Sequence, residues 1–351
     1  MSDQSVQAEL ERPARQRLFN VAIVGATGAV GAELIGCLER RGFPVAQLKL
    51  LASARSAGKT LMFKGQPVVV ETLTADSFDG VDIALFSAGA SISREYAPLA
   101  AAAGCVVVDN SSAFRMDPGT PLVVPEVNGG LLANRPMIVA NPNCVAAIAV
   151  MALAPLHARN PIVRVIGSTY QSASGAGAAA MEELELSTAA RLAGQAFTPK
   201  VLPHPYAFNV FSHNTAIDPA TGYNGEETKV MAEIRKLLAA PDLRVAFTCI
   251  RVPVLRAHSM AITVEFEGQI TAMEAQDWLA EAPGVRIVND NENNHFPMPS
   301  EATGQDDVLV GRLRGDASDP TGRSLTLFLA GDQLLKGAAL NAVQIAEQYA
   351  L

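Results

Sequence analysis

Phe19-Asn-Val-Ala-Ile-Val24, then Gly25-Ala-Thr-Gly28-Ala-Val-Gly31, then Ala32-Glu-Leu-Ile-Gly-Cys-Leu-Glu-Arg40, is the stretch whose reading decides the fold. A short apolar run rich in β-branched residues meets glycines and passes into a segment whose apolar residues recur at helical spacing. This reads as strand, tight turn and helix, the context in which a glycine-rich spacing acquires meaning. Gly25 and Gly28 let the backbone turn and approach a pyrophosphate, and the helix start offers unpaired N–H groups to the anion. Thr27, Ala29 and Val30 complete the predicted contact set. The spacing is GxxGxxG, a variant of the dinucleotide fingerprint, and the alternative is a glycine turn in an ordinary α/β protein.

Working outward, residues 48–54 (LKLLASA), 81–88 (VDIALFSA) and 105–111 (CVVVDNS) read as further apolar strands, with helix-like stretches such as 95–104 between them. Strands of this kind alternating with helices predict a mostly parallel sheet covered on both faces, a Rossmann-type unit at 17–143. After Cys144 the strands at 163–174, 244–256 and 261–268 are longer and partly alternating, which predicts an α+β domain at 144–333 with one solvated or interface face. Residues 334–351 are helical in pattern and are expected to pack back onto the first domain. The length of 351 residues likewise favours two domains over one core.

The formal charge of -8 argues against nucleic acid or an anionic membrane as partner, and 49% apolar residues exclude a disordered chain. The charged start, residues 1–19, lacks the apolar stretch of a secretory signal and reads as a short disordered tail. Cys37, Cys105, Cys144 and Cys249 lie far apart, without metal-ligand spacing, so neither a disulfide framework nor a metal is expected, and a cytoplasmic location fits.

Past the second strand, where an NAD enzyme usually places a carboxylate, stand Ser53, Arg55 and Ser56 with Lys59. A neutral and positive set suits a 2′-phosphate and favours NADP(H), the alternative being that Arg55 is a solvated loop residue. Cys37, Cys105 and Cys249 read as core fillers. Cys144, in Asn141-Pro-Asn-Cys144 before a helix-like run, is expected at a helix N-terminus, where the dipole and free N–H groups favour a thiolate. The alternative is a small buried apolar residue. Such a thiolate could attack a carbonyl, and hydride transfer would interconvert thiohemiacetal and thioester. His258, in Arg251-Val-Pro-Val-Leu-Arg-Ala-His258, is the best placed of five histidines to exchange protons with it.

With these residues in view, the chain resembles the aspartate-β-semialdehyde dehydrogenase family. GATGAVG, VDNSSAFR, VPEVN, NPNC, YQSASGAG, YAFNVFSHN, GYNGEETK, RVPVLRAH and GDQLLKGAALNAVQIAE look like that family's signatures, in its order. The resemblance implies NADPH-dependent conversion of L-4-aspartyl phosphate to aspartate semialdehyde and phosphate, on the route to lysine, threonine and methionine. It implies Cys144 as acyl-thioester nucleophile, His258 as acid/base and Gln171 as the residue orienting the intermediate. Arg251 matches the carboxylate-binding arginine, Glu226 the acid that receives the ammonium, and Arg115 and Lys229 the phosphate pair. Asn143, Ser174, Gly175 and Gln333 match active-site or cofactor neighbours. Backbone N–H groups at the helix start are the expected oxyanion donors. A homodimer built through the second domain is implied, with residues 183–214 as interface.

Two departures stand out. Val145 and Ala146 follow Cys144 where the family carries a hydroxyl, and Leu335 stands where it often has Arg, which would weaken a secondary anion contact. The competing readings are N-acetyl-γ-glutamyl-phosphate reductase, whose substrate has no free ammonium, and a non-catalytic nucleotide-binding paralogue, for which Val145 is the main support.

Overall fold

The structure, a computed structural model, describes residues 17–350, so most of the predicted N-terminal tail lies outside the described residues. Two seven-stranded sheets organise the chain. The first contains β1 (Phe19–Val24), β2 (Val45–Ala52), β3 (Thr60–Phe63), β4 (Gln66–Thr72), β5 (Ile83–Phe86), β6 (Val106–Asp109) and β7 (Ile138–Ala140) in the order β3-β4-β2-β1-β5-β6-β7. All its pairings are parallel except β3 with β4. That hairpin is absent from the reading of strands separated by helices. Its signal was Lys64-Gly65, a two-residue loop with φ of 48° and 74°, the left-handed pair that a tight hairpin demands.

Helix α1 (Ala29–Arg40) covers one face of this sheet and α2 (Ala90–Ala102) the other. The chain returns at its end, as expected. After a single π-helical turn, Leu335–Ala339, the C-terminal helix packs Leu340, Val343, Ile345 and Ala346 into the cluster that holds Ile23, Leu34, Leu38 and Leu85. Leu335, in place of the family's frequent Arg, belongs to that apolar cluster.

The second sheet has the order β12-β13-β14-β11-β8-β10-β9, with β8 (Ile162–Gln171), β9 (Phe211–Ser212), β10 (Arg244–Arg251), β11 (His258–Phe266), β12 (Val285–Ile287), β13 (Val308–Gly315) and β14 (Ser324–Gly331). β8 and β10 are parallel, and β11 is antiparallel to both β8 and β14. The helix that begins at Cys144, α3 (Cys144–Arg159), is buried on every side from Val145 to Leu153 in the core under this sheet. An apolar surface all round is what such a position requires. On the other sheet face Ile166, Tyr170 and Phe328 remain partly exposed, the alternation expected of a solvated or interface face. α4 (Ala178–Leu192) and the segment after it carry exposed Leu186, Leu192, Val201, Phe208 and Val210. Among the described residues, no helix is long and apolar enough to cross a membrane.

The glycines of the first turn divide by steric need. Gly25 has φ +87°, and a Cβ there would lie 2.5 Å from Ser87 O. A Cβ on Gly31 would lie 2.4 Å from Gly25 O, so helix and turn touch through backbone. Gly28 has an ordinary φ of -81°, and a Cβ there meets only Gly25 O at 3.3 Å. Gly31→Ala is therefore expected to destabilise by about 2 kcal/mol or more, and Gly28→Ala by about 1 kcal/mol or less, in denaturant unfolding. Equal losses would show that the turn is not held by this contact.

Candidate active site

The sheet topology brings distant residues to one place. Because β8 and β10 run parallel, Gln171 and Arg251 pair at their common C-terminal end. β11 runs the opposite way, so His258 begins at that same end, opposite Gly331 of β14, and Gln333 follows two residues later. This end faces the C-terminal ends of β5 and β6 in the first sheet. Between them lies a cleft of about 260 Å³, lined by Val30, Ser87, Asn110, Arg115, Asn143, Cys144, Ser174, Gly175 and Gln333 among others. It opens outside the carboxyl ends of parallel strands, next to where the strand order reverses between β1 and β5, the usual ligand position in such sheets.

Cys144 is the first residue of α3. Asn143 caps that helix: its Oδ1 accepts from Val145 N–H at 2.9 Å and from Ala146 N–H at 3.3 Å. The expected oxyanion donors are thus already engaged, and Cys144 N–H is the only first-turn amide without an acceptor among the described residues. The expectation of a ready thiolate is also corrected. Burial first, and then Glu226, push the Cys144 thiol up to about 12, outweighing Arg115, Arg251 and the Val145 N–H, which act in the opposite sense. The side chain is nevertheless only half-buried, because one side opens to the cleft. Cys37, Cys105 and Cys249 are buried core residues, as read. Val145 is wholly buried in the apolar core, so the missing hydroxyl leaves no gap in the cleft and gives no support to a non-catalytic paralogue.

α5 (Gly225–Leu237) carries Glu226, Lys229 and Glu233 on one helix face, and Glu226 and Glu233 reach Asn143, the residue before Cys144. Glu226 Oε1 accepts from Asn143 Nδ2 at 2.9 Å and from Gln171 Nε2 at 3.3 Å. Burial pushes Glu226 up, yet its net direction is down through His213, Asn143, Lys229 and Gln171. His213, itself pushed down to about 4 chiefly by burial, is neutral at pH 7, so the two amide donors and Lys229 are what hold Glu226 ionised there. Glu233, not singled out in the sequence, accepts from Asn143 N–H at 2.5 Å and from Arg115 Nη1 at 3.1 Å. Arg115 also donates to Asn141 O and Asn110 O.

Arg251 is 4% exposed, and no carboxylate lies within ion-pair distance of it among the described residues. Its guanidinium donates to Ser172 O at 3.2 Å, Asn214 Oδ1 at 3.4 Å and His213 Nε2 at 2.9 Å. His213 lies in the FSHN segment, where nothing in the sequence marks it as a partner of Arg251. His258 is fully buried. Ser172 N–H donates to its Nδ1 at 3.1 Å, so the neutral ring carries its proton on Nε2, and that atom has no partner. Burial first, and then Arg251 and His213, hold the ring well below its ordinary pKa. A Cβ at Gly175 would lie 3.0 Å from His258 Nε2 and 3.3 Å from Arg251 Nη1, so only glycine leaves both groups access past this point. Gln333 Nε2 donates to Ser174 Oγ, and Gln333 Oε1 accepts from Ala257 N–H at 2.9 Å.

The remaining residues expected to bind the cofactor lie in the first turn and just beyond β2. Gly25, Thr27, Gly28, Ala29 and Val30 make the turn and first turn of α1, of which Val30 lines the cleft. Ser53 and Arg55 are exposed beyond β2, and Ser56 Oγ lies 3.4 Å from Thr27 Oγ1. Among the described residues no group of three or more His, Cys, Asp or Glu is arranged to hold a metal.

Two family models match the chain: the semialdehyde dehydrogenase NAD binding domain at residues 20–135 and the semialdehyde dehydrogenase dimerisation domain at 153–336. Aspartate-semialdehyde dehydrogenase of Synechocystis sp. is 54% identical over 94% of this chain and 96% of its own. That of Prochlorococcus marinus is 48% identical over 96% and 98%. The crystal structure of aspartate semialdehyde dehydrogenase II from Vibrio cholerae, complexed with ASA, is 42% identical and superposes with a TM-score of 0.90 over 94% of this chain and 98% of that one. By fold, site and sequence, the chain belongs to the aspartate-semialdehyde dehydrogenase family.

Proposed function

We propose that the protein reduces L-4-aspartyl phosphate to L-aspartate 4-semialdehyde and phosphate with NADPH, reversibly, through a thioester on Cys144. The observation that carries this reading is the buried Arg251 without a carboxylate partner, one glycine away from the partnerless His258 Nε2 and beside the nucleophile. A desolvated guanidinium is costly unless an anion joins it, and its planar fork fits a substrate α-carboxylate. Glu226, with one oxygen already engaged and the other open, suits the α-ammonium, and the ASA bound to the Vibrio relative supports a ligand of this class. Each terminal nitrogen of Arg115 retains a hydrogen for a phosphoryl oxygen, and Lys229, which has no hydrogen-bond partner among the described residues, stands one turn from Glu226.

NADP(H) fits the cleft: α1 points its N-terminus at it, Gly28 leaves room for close approach, and exposed Arg55 with Ser53 and Ser56 suits a 2′-phosphate. When bound, the dinucleotide supplies the hydride that reduces the thioester. Cys144 attacks the acyl carbon, the C–O bond to phosphate breaks, and the phosphate departs toward Arg115 and Lys229 carrying the thiol proton. Cys144 N–H and His258 Nε2–H are the two free donors for the acyl oxygen, in place of the whole helix start. His258 thus acts as a donor toward oxygen, with Nδ1 occupied by Ser172. We assign residues 17–143 and 334–351 to cofactor binding and 144–333 to catalysis and dimerisation. Exposed apolar residues in 183–214 and the dimerisation-domain match support a homodimer, and four free thiols fit a cytoplasmic location.

Phosphate-dependent reduction of NADP by aspartate semialdehyde is the direct assay. Cys144→Ala should lower turnover by about 10³-fold or more while NADPH binding stays unchanged; normal turnover would rule out the covalent route. Because the thiol is raised, its alkylation by iodoacetamide in the free enzyme should keep rising by about tenfold per pH unit to at least about pH 9. A plateau near pH 7 would show a stabilised thiolate instead. Arg251→Lys should raise KM for aspartate semialdehyde by about tenfold or more, since an ammonium cannot offer the fork, and an unchanged KM would remove the carboxylate assignment. Light scattering at micromolar concentration should give the mass of a dimer, and a monomer would reject the interface.

A further inference from the structure

Arg256 stands two residues before His258, yet its side chain turns away from the cleft. Its Nε donates to Asp332 Oδ2 at 2.7 Å and its Nη1 to Glu33 Oε1 at 2.6 Å. The two carboxylates belong to different parts of the fold. Glu33 is on the second turn of α1, whose first turn brings Val30 to the cleft. Asp332 is fully buried and directly precedes Gln333. Its side chain also accepts from Leu334 N–H at 3.0 Å and Gly304 N–H at 2.7 Å, and its carbonyl accepts from Gly337 N–H at 3.2 Å. Gly337 is the residue against which Cys144 packs: a Cβ there would lie 2.8 Å from Cys144 Cβ.

The loop carrying Arg256 is held under conformational tension. Ala257, between Arg256 and His258, has φ +69°, a left-handed conformation that a residue with a Cβ keeps only when its surroundings impose it. Ala257 N–H donates to Gln333 Oε1, and Arg256 grips the residue before Gln333. One forked guanidinium therefore joins the cofactor helix, the histidine loop and the turn that carries Gln333.

We propose that Arg256 is a positioning residue that couples the seat of the cofactor on α1 to the placement of His258 and Gln333. This rests on the reading that α1 holds the dinucleotide and His258 donates to the acyl oxygen. Loss of the fork lets histidine and nicotinamide site drift apart, and misplacement on the scale of an ångström is enough to slow a reaction that depends on alignment. The thiol itself is held by α3 and Asn143, and Gly337 beside it bonds the Asp332 main-chain carbonyl rather than the carboxylate that Arg256 grips, so its reactivity is expected to change little.

The test compares Arg256→Met, Arg256→Lys and Glu33→Gln in the full chain. The assays are phosphate-dependent NADP reduction, Cys144 alkylation by iodoacetamide, and thermal melting. Arg256→Met is expected to lower kcat by about tenfold and raise KM for NADP by about threefold, with alkylation within about twofold of the parent. Arg256→Lys, which keeps the charge but reaches only one carboxylate, recovers part of kcat. Glu33→Gln, which removes only the α1 arm, raises KM for NADP and lowers kcat by less than Arg256→Met does, because the Asp332 arm remains. The proposal is overturned if Arg256→Met leaves kcat and KM for NADP unchanged, or if kcat, alkylation and melting temperature fall together. Should Arg256→Met not fold, Glu33→Gln decides: Glu33 is part-exposed, and an unchanged KM for NADP sinks the coupling. If the parent shows no phosphate-dependent reduction of NADP, it is the functional reading that fails, and the α1 arm is then read by whether Glu33→Gln weakens NADPH binding measured by fluorescence.

Discussion

The capped start of α3 is the constraint on which the rest of the site depends. A helix presents four amide groups without intrahelical acceptors at its N-terminus, and here they lie at a seam between two sheets. Asn143 satisfies two of them with its side chain, while its own N–H is taken by Glu233 and its amide nitrogen by Glu226. The residue before Cys144 is thereby tied into α5, and Cys144 is delivered to the cleft with one free amide. The same arrangement has a cost: burial that makes the cap rigid also makes a thiolate at Cys144 unfavourable.

Charge is distributed in the site by a rule visible in its two buried arginines. Arg115 is neutralised within the protein by Glu233, whereas Arg251 has only neutral acceptors and a neutral imidazole around it. The first can be stable with the cleft empty and still offer hydrogens to an anion. The second is a desolvated charge with no carboxylate at ion-pair distance among the described residues. His258 is an analogous case among neutral donors, with one ring nitrogen satisfied by backbone and the other left open.

The convergence of Gln171, Arg251, His258 and Gln333 follows from strand direction alone. Two parallel strands end where two antiparallel neighbours begin and end, so four segments spread over more than 160 positions meet at one edge of the sheet. Such an edge needs something to hold its loops in register with the nucleotide unit. Asp332, Arg256 and Glu33 run across that boundary, and the C-terminal helix closes it by returning to the first sheet.

Much of this was legible in the residues: the strand–glycine–helix opening, the run of parallel strands, the returning C-terminal helix, Cys144 at a helix start and the arginine-to-histidine segment. Local pattern carries these because periodicity, turn chemistry and short spacing act within a few residues. The β3–β4 hairpin escaped because its two-residue loop, Lys64-Gly65, lacks the usual Asn or Asp. Glu233, His213 and Arg256 could not be ranked from sequence, since each looks like one more charged or titratable residue until a partner from another element is beside it. The same limit explains the reversed expectation for the thiol and the helix-start amides. A local argument counts the helix dipole and free N–H groups, but not the burial, the carboxylate of Glu226 or the side chain of Asn143. What the chain encodes by itself is which elements form and what chemistry their residues can offer; which donors stay free, which charges are paired and which protons are held is decided only by packing, because desolvation and hydrogen bonding depend on neighbours remote in sequence.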